Sequence, residues 1–444
     1  MITYKQNIIS KMKNKIKAKK INRKKDIIGV IGLGYVGLPL AISFSKKIEV
    51  VAYDKKKLRT DNLRIGKDTN KEVSKKELRN KQNILFTNDP KNLFKCNIFI
   101  ITVPTPVKHK NIPNLDLLKE ACKLVGKYIK KEAIVIIEST TYPGCTEEFC
   151  APIIEKTSRL KFNKDFYCGY SPERINPGDK KNKLEKIVKI TSGSNTKTAI
   201  KVDRLYKKII KAGTYKVSSI KVAEAAKIVE NVQRFVNISL INELAIIFDK
   251  LNLSSEEVLN AAGTKWNFLK FKPGLIGGHC IAVDPYYLSY KAKKIKSKSE
   301  IINTSLRLHE KLFKYICNKL INNLKSNSIT SKKNVLILGL TFKENCHDYR
   351  NSQSVKLVQY LKSKKFKVDA YDPFINPKDI KKDYNINMLK KFPKKNYYDG
   401  IVLAVPHNFF LNLGQKKIQG FGKKNFQLID IKSKLKKNKY IWQF

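Results

Sequence analysis

The chain of 444 residues is 42% hydrophobic and 29% charged. That excludes a disordered polymer and, at roughly 150 residues per domain, supplies two or three packed cores. Its formal charge of +54 would suit a polyanion, but the bases are nearly all Lys and run from end to end, whereas nucleic-acid readers gather theirs in a patch, so no nucleic-acid partner is expected.

No apolar run nears the roughly 20 residues of a membrane-spanning helix, so no membrane insertion is expected. The eight Cys form no CxxC pair, which argues against a zinc ribbon, any other metal centre and a disulfide framework. Reduced thiols and a cytoplasmic location are expected. Residues 1–25 are basic, meet no acid before Asp26, lack a signal peptide's apolar stretch, and read as a solvated tail.

The apolar run 27–31 reads as a buried parallel strand that enters Gly32-Leu33-Gly34-Tyr35-Val36-Gly37 and then a helix. Gly32 permits the tight turn, Gly34 lets a pyrophosphate approach the backbone, and Gly37 lets helix and strand pack closely, with Tyr35 and Val36 completing the turn. Asp54 ends the next strand, 22 residues after Gly32. A carboxylate there accepts hydrogen bonds from the adenosine ribose and repels a 2′-phosphate, so the expected cofactor is NAD rather than NADP, despite neighbouring Arg59.

Runs at 98–103, 133–137, 166–170 and 187–191 alternate with helical stretches such as 115–130 and 196–210, the pattern of a parallel sheet wrapped by helices over residues 26–215. Pro104 and Thr105, and then Thr140 in Glu138-Ser139-Thr140-Thr141-Tyr142-Pro143-Gly144, follow strands and belong at the crevice outside their carboxyl ends. Ser171-Pro172-Glu173-Arg174 follows another strand, and its Glu173 is either a general base or an ordinary helix-start or surface carboxylate.

Residues 221–251 contain neither Gly nor Pro and read as a helix about 45 Å long. Ser254 and Glu257 fit the capping box of a following helix. This central segment, 216–330, either supplies a dimer seam or packs within its own chain. On the long helix Lys227 and Asn231 share one face among small and apolar residues, where a partly desolvated ammonium suits an oxyanion or a proton in transit.

In the stretch Gly274-Leu275-Ile276-Gly277-Gly278-His279-Cys280-Ile281-Ala282-Val283-Asp284 the glycines leave room for a polar ligand and leave Cys280 accessible, as befits a nucleophile. The other seven Cys read as structural. His279 is not assumed to be the base, since consecutive side chains diverge, and Cys346-His347-Asp348 imitates a triad in letters only. After residue 331 the α/β pattern resumes in a smaller domain, 331–444, whose first turn, Gly339-Leu340-Thr341-Phe342-Lys343, lacks three glycines and is not expected to hold a dinucleotide. The expected architecture is α/β: two Rossmann-like doubly wound parallel-sheet domains joined by a long central helix.

These motifs together (GxGYVGLPLA, VPTP, EST-x-x-PG, SPER-x-x-PG, GGHC-x-x-x-DP and Phe342-Lys343 … Asp348-x-Arg350-x-Ser352) resemble the UDP-glucose/GDP-mannose dehydrogenase family. Within it they look most like the bacterial UDP-N-acetylhexosamine 6-dehydrogenases of surface-polysaccharide synthesis. The resemblance implies four-electron oxidation of a sugar CH2OH to a carboxylate by two NAD, with Cys280 holding the aldehyde as a thiohemiacetal and then a thioester.

It implies that Lys227 and Asn231 stabilise the oxyanion, that Thr140 and Asp284 position water, and that Glu173 serves thioester hydrolysis. Lys343 and Arg350 would contact the nucleotide sugar, whose site would include Glu173, Arg174, Lys227, Asn231 and Gly277. It also implies a homodimer through the central helix. Pro177 stands where UDP-glucose enzymes carry a second carboxylate, which marks the hexosamine branch. UDP-N-acetylmannosamine and UDP-glucose are the rival substrates. More distant alternatives are a two-electron hydroxyacid dehydrogenase, which needs no loop Cys, and a basic binding protein without turnover.

Overall fold

The computed structural model describes residues 25–70, 72–79, 83–108, 112–175, 184–325 and 333–444; the basic tail up to residue 24 and Pro177 lie outside the described residues. The chain divides into two compact units. Of the described residues, one comprises those up to Pro104 with Leu117–Ser139 and Thr146–Ile220, the other those of Thr105–Asp116, Thr140–Cys145 and Lys221–Phe444.

The first unit is built on strands β1 (Ile27–Ile31), β2 (Glu49–Tyr53), β3 (Ile84–Thr87), β4 (Ile98–Ile101), β5 (Ile134–Ile137), β6 (Tyr167–Tyr170), β7 (Lys189–Gly193) and β8 (Thr214–Lys216). They lie in the order β3-β2-β1-β4-β5-β6-β7-β8. Ile28, Val30, Val50, Ala52, Ile98 and Ile100 are buried with Leu38, Ala41 and Phe44 of the helix Gly37–Ser45, while Val51, Phe99, Ile101 and Val135 are buried as well. A sheet covered on both faces needs such uninterrupted apolar strands.

Strand order reverses between β1 and β4, so a crevice opens beyond their carboxyl ends. One pairing departs from the expected parallel pattern: β6 and β7 run antiparallel. Among the described residues the connection holds only the short turn Leu184–Lys186, and parallel neighbours need a full crossover.

The second unit carries β9 (Asn334–Leu338), β10 (Lys367–Tyr371), β11 (Tyr398–Leu403), β12 (Gly422–Asp430) and β13 (Ile441–Gln443), all parallel in the order β10-β9-β11-β12-β13. Leu312, Ile316 and Leu320 of the helix Glu300–Lys325 pack with Val335, Ile337 and Val402 in its core. The expected long helix is present as Ile220–Lys250. The following helix, Ser255–Ala262, is capped by Ser254, whose hydroxyl accepts from the Glu257 amide.

Candidate active site

In the first unit the glycine turn has the expected division of labour. Gly32 sits at φ +96, where only glycine is unstrained. A side chain on Gly37 would meet the Gly32 carbonyl at 1.9 Å and Thr102 Oγ1 at 2.4 Å, whereas nothing lies within 4 Å of the Cβ position of Gly34. Gly37 therefore serves packing, and Gly34 faces open space beside half-buried Tyr35 and Val36.

Asp54 accepts the Leu33 amide on Oδ2 and the Lys56 amide on Oδ1, each at 2.9 Å. A carboxylate has about four lone-pair sites, so two remain for ribose hydroxyls. Arg59 donates from Nε to the Leu33 carbonyl and from Nη1 to Asp68, while its buried Nη2 has no partner among the described residues. The sequence makes Arg59 a neighbour of the cofactor; the structure adds that it fastens the glycine turn. These features fit a dinucleotide. Replacing Asp54 with Ala is expected to lower the NAD-to-NADP preference in kcat/KM by about 10-fold or more, since a like-charge juxtaposition at a binding site is worth at least that. An unchanged ratio would count against the ribose assignment.

Exposed Pro104 follows β4 in this unit, whereas Thr105 and Thr140 belong to the second, where Thr105 Oγ1 donates to the Thr140 carbonyl at 2.7 Å.

The second unit assembles the remaining chemistry around the long helix. Lys227 and Asn231 project from one face and both donate to Asp284 Oδ2, Lys227 Nζ at 3.0 Å. All three are buried, and Asp284 Oδ1 has no partner among the described residues. Burial works against the Lys227 ammonium, but Asp284 and then Cys280 outweigh it and its pKa is raised. Burial pushes the Asp284 carboxyl up, opposed by Lys227 and Asn231. The sulfur of Cys280 thus lies within electrostatic reach of a charged, desolvated ammonium.

Cys280 is half-buried, and its carbonyl accepts the Val283 and Asp284 amides, turning the chain into the helix Asp284–Lys294. Cys96, Cys122, Cys145, Cys150, Cys168 and Cys317 are buried; burial pushes the Cys96 and Cys317 thiols up to about 12, which leaves them inert.

The loop glycines act differently from expectation. A Cβ on Gly277 would come within 2.9 Å of Phe342 Cβ, and one on Gly278 within 2.8 Å of the Phe342 ring. The room they vacate is filled by Phe342, so they let the Cys280 loop pack on residues 341–352. His279 Nε2 pairs with Asp348 at 3.1 Å, Arg350 grips the same carboxylate, and Cys346 lies against the carbonyls of Lys343 and Asp348. Neighbouring Cys346, His347 and Asp348 thus diverge. Half-buried Lys343 and exposed Arg350 stand on this 341–352 loop, next to a cleft lined by Leu275, Gly277, Thr341, Phe342, Gln353 and Lys432.

Glu173 belongs to the first unit. Its Oε1 accepts the Arg174 and Ile175 amides at 2.6 Å, and its Oε2 meets Lys189 Nζ at 3.2 Å. Lys189 also bridges to Glu138, which accepts from Tyr206. Burial works against the Lys189 ammonium, yet Glu138 and Glu173 more than offset it. Arg174 donates to the Val188 carbonyl just before β7 and Ser171 Oγ donates to the Ile190 carbonyl within it, so the 171–175 loop is tied to β7.

Sequence reasoning missed Lys189, Glu224 and Asn242. Glu224 and Asn242 lie on the Lys227–Asn231 face of the long helix: buried Glu224 accepts from Thr141 and Gly144, and Asn242 exchanges two bonds with Gly274. A helical projection of that face would have exposed both.

Comparison with known proteins gives a consistent picture. Models of the UDP-glucose/GDP-mannose dehydrogenase family match along the chain: the NAD binding domain over residues 26–210, the central domain over 221–311 and the UDP binding domain over 336–437. A UDP-N-acetyl-D-glucosamine 6-dehydrogenase of Salmonella typhi is 49% identical over 406 residues, 91% of this chain and 95% of that protein. One of Pseudomonas aeruginosa is 49% identical over 413 residues, 93% of this chain and 98% of that protein. Among solved structures, a UDP-D-ManNAc dehydrogenase from Pyrococcus horikoshii superposes with a TM-score of 0.83 at 29% identity, covering 94% of this chain and 98% of that one.

Proposed function

Because the chain belongs to the UDP-glucose/GDP-mannose dehydrogenase family, we propose that it oxidises C6 of UDP-N-acetyl-D-glucosamine to the uronate, for surface polysaccharide synthesis. It is an NAD-dependent nucleotide-sugar dehydrogenase. The observation that carries the chemistry is the half-buried Cys280 thiol beside the buried Lys227–Asn231–Asp284 network.

NAD, when bound, accepts the hydrides; Gly32, Gly34, Tyr35, Val36, Gly37, Asp54, Arg59, Pro104, Thr105 and Thr140 would hold it. The residues of this chain do the rest. Cys280 captures the aldehyde as a thiohemiacetal and carries it to a thioester. Lys227 and Asn231 meet the oxygen that becomes anionic, as preorganised donors in a dry site. Asp284 Oδ1, open beside them, and Thr140 orient the water that cleaves the thioester, and Glu173 supports this hydrolysis from its own ion-paired loop. Lys343, Arg350, Arg174 and Gly277 complete the UDP-sugar site, where Arg suits a diphosphate through its fork geometry. The overall change consumes one alcohol, one water and two NAD+ and yields one carboxylate, two NADH and three protons.

The same reading divides the chain into the NAD domain 26–215, the central domain 216–330 and the UDP-sugar domain 331–444. It makes the protein a cytoplasmic homodimer. Among the described residues no helix is long and apolar enough to cross a membrane. Val222, Val229, Leu240 and Ile247 form an exposed apolar line along the long helix, at spacings of 7, 11 and 7 that fall on one helical face. A second copy would bury it.

The sugar is tested by offering purified protein NAD and UDP-N-acetylglucosamine, UDP-N-acetylgalactosamine, UDP-N-acetylmannosamine or UDP-glucose. The highest kcat/KM is expected for UDP-N-acetylglucosamine. A preference for UDP-N-acetylmannosamine or UDP-glucose would overturn the substrate assignment.

A further inference from the structure

The second unit contains a closed chain of hydrogen bonds that no single motif reveals. Glu224 on the long helix accepts the Gly144 amide at 2.5 Å and the Thr141 hydroxyl at 3.3 Å. The preceding residue, Thr140, accepts Thr105 Oγ1 on its carbonyl at 2.7 Å. Thr105 in turn accepts the Tyr287 hydroxyl on its own carbonyl at 2.7 Å. Tyr287 stands three residues after Asp284 in the first turn of the helix Asp284–Lys294, and Asp284 returns to the long helix through Lys227 and Asn231. Glu224, Thr141, Tyr287 and Asp284 are fully buried. Burial pushes the Tyr287 hydroxyl above its ordinary range, which keeps it a donor at neutral pH.

We propose that Glu224 and Tyr287 are positioning residues that set Thr140 against Asp284 through this closed chain and thereby govern hydrolysis of the Cys280 thioester. The proposal rests on the assignment of Thr140 and Asp284 to the hydrolytic water. In physical terms, a water must be held by two groups whose separation is fixed, and a misplacement of about 1 Å costs up to about 100-fold in rate. Thr140 lies on a loop, Asp284 on a helix, and the two are linked through Thr105–Tyr287 on one side and Glu224–Lys227 on the other. A ring is opened by any one cut, so a second cut adds little. Independent structural contributions would instead multiply.

The test uses Tyr287→Phe, Glu224→Ala and the double variant in the full-length protein with NAD and UDP-N-acetylglucosamine. Tyr287→Phe keeps the ring and its packing and is the variant that stands if Glu224→Ala fails to fold. It is expected to lower kcat about 10-fold, with KM for the sugar falling in step so that kcat/KM stays within about twofold. A rapid burst of two NADH per active site should precede slow turnover, with a thioester mass adduct accumulating on Cys280. The double variant should be about as slow as the slower single one.

Multiplying losses, a slowed Tyr287→Phe enzyme without burst or adduct, or unchanged kcat would each overturn the proposal. If the wild-type protein itself released one NADH per sugar and no acid, the underlying function and this inference would fall together. Two NADH from wild type with no burst in Tyr287→Phe would sink only the inference.

Discussion

Cys280→Ser is expected to abolish uronate formation, by at least about 1,000-fold in kcat, the scale seen when a covalent nucleophile is removed, while NAD binding stays intact. The serine hydroxyl is a far weaker nucleophile at neutral pH than a thiol, and nothing else in the second unit replaces it. Cys346 lies against backbone carbonyls and its thiol is pushed up by burial, while Cys145 and Cys317 are buried. The glycine turn and Asp54 belong to the first unit, so the dissociation constant for NAD should stay within about twofold. Chromatography of the UDP-sugar products with equilibrium binding of NAD checks both halves. Uronate made at the parent rate would remove the covalent step from the mechanism.

Lys227→Met is expected to cost both catalysis and stability. The ammonium is one of two donors on Asp284 Oδ2, and losing a preorganised donor of this kind lowers kcat about 100- to 1,000-fold. It also leaves a fully buried carboxylate without its cation, a break worth about 3–5 kcal/mol, visible as an earlier urea midpoint. The pH dependence has a definite sign. Asp284 and Cys280 raise the Lys227 pKa against the effect of burial, so the stabilisation is fully present below the ordinary value of 10.5 and disappears as pH climbs through the raised one. Asp284, pushed up by burial, becomes costly to keep ionised as pH rises above its ordinary value, and Lys227 offsets that cost. Wild type should therefore lose stability at strongly alkaline pH, and Lys227→Met should lack that alkaline loss. An unaltered kcat, or an identical alkaline transition, would show that the pair does not act as described.

Much of this site was legible in the sequence because its signals are local. Gly32, Gly34 and Gly37 with Asp54 are separated by one strand, one turn and one helix, and the backbone constraints that select them act within that span. Lys227 and Asn231 are four residues apart, so helical periodicity alone puts them on one face. The residues that escaped notice are those whose roles come from distant partners. Lys189 opens a strand and reads as one basic residue among many until Glu138 and Glu173 are brought to it. Glu224 reads as a surface acid until residues 141–144 fold over it. In the sequence Gly277 and Gly278 read as room for a ligand, whereas the space a side chain would take there is filled by Phe342, 64 residues beyond Gly278. The antiparallel β6–β7 pairing was hidden for the same reason, since no local pattern shows whether a crossover helix is present.

The most direct measurement is the yield of NADH per molecule of UDP-N-acetylglucosamine consumed, with an aldehyde trap that spares thioesters, such as semicarbazide, present throughout. Retention of the aldehyde on the Cys280 sulfur until it becomes an acid requires two NADH per sugar, one UDP-uronate and no trapped semicarbazone. One NADH per sugar with the semicarbazone as product would mean that the aldehyde leaves the protein after a two-electron step, and covalent catalysis by Cys280 would be contradicted.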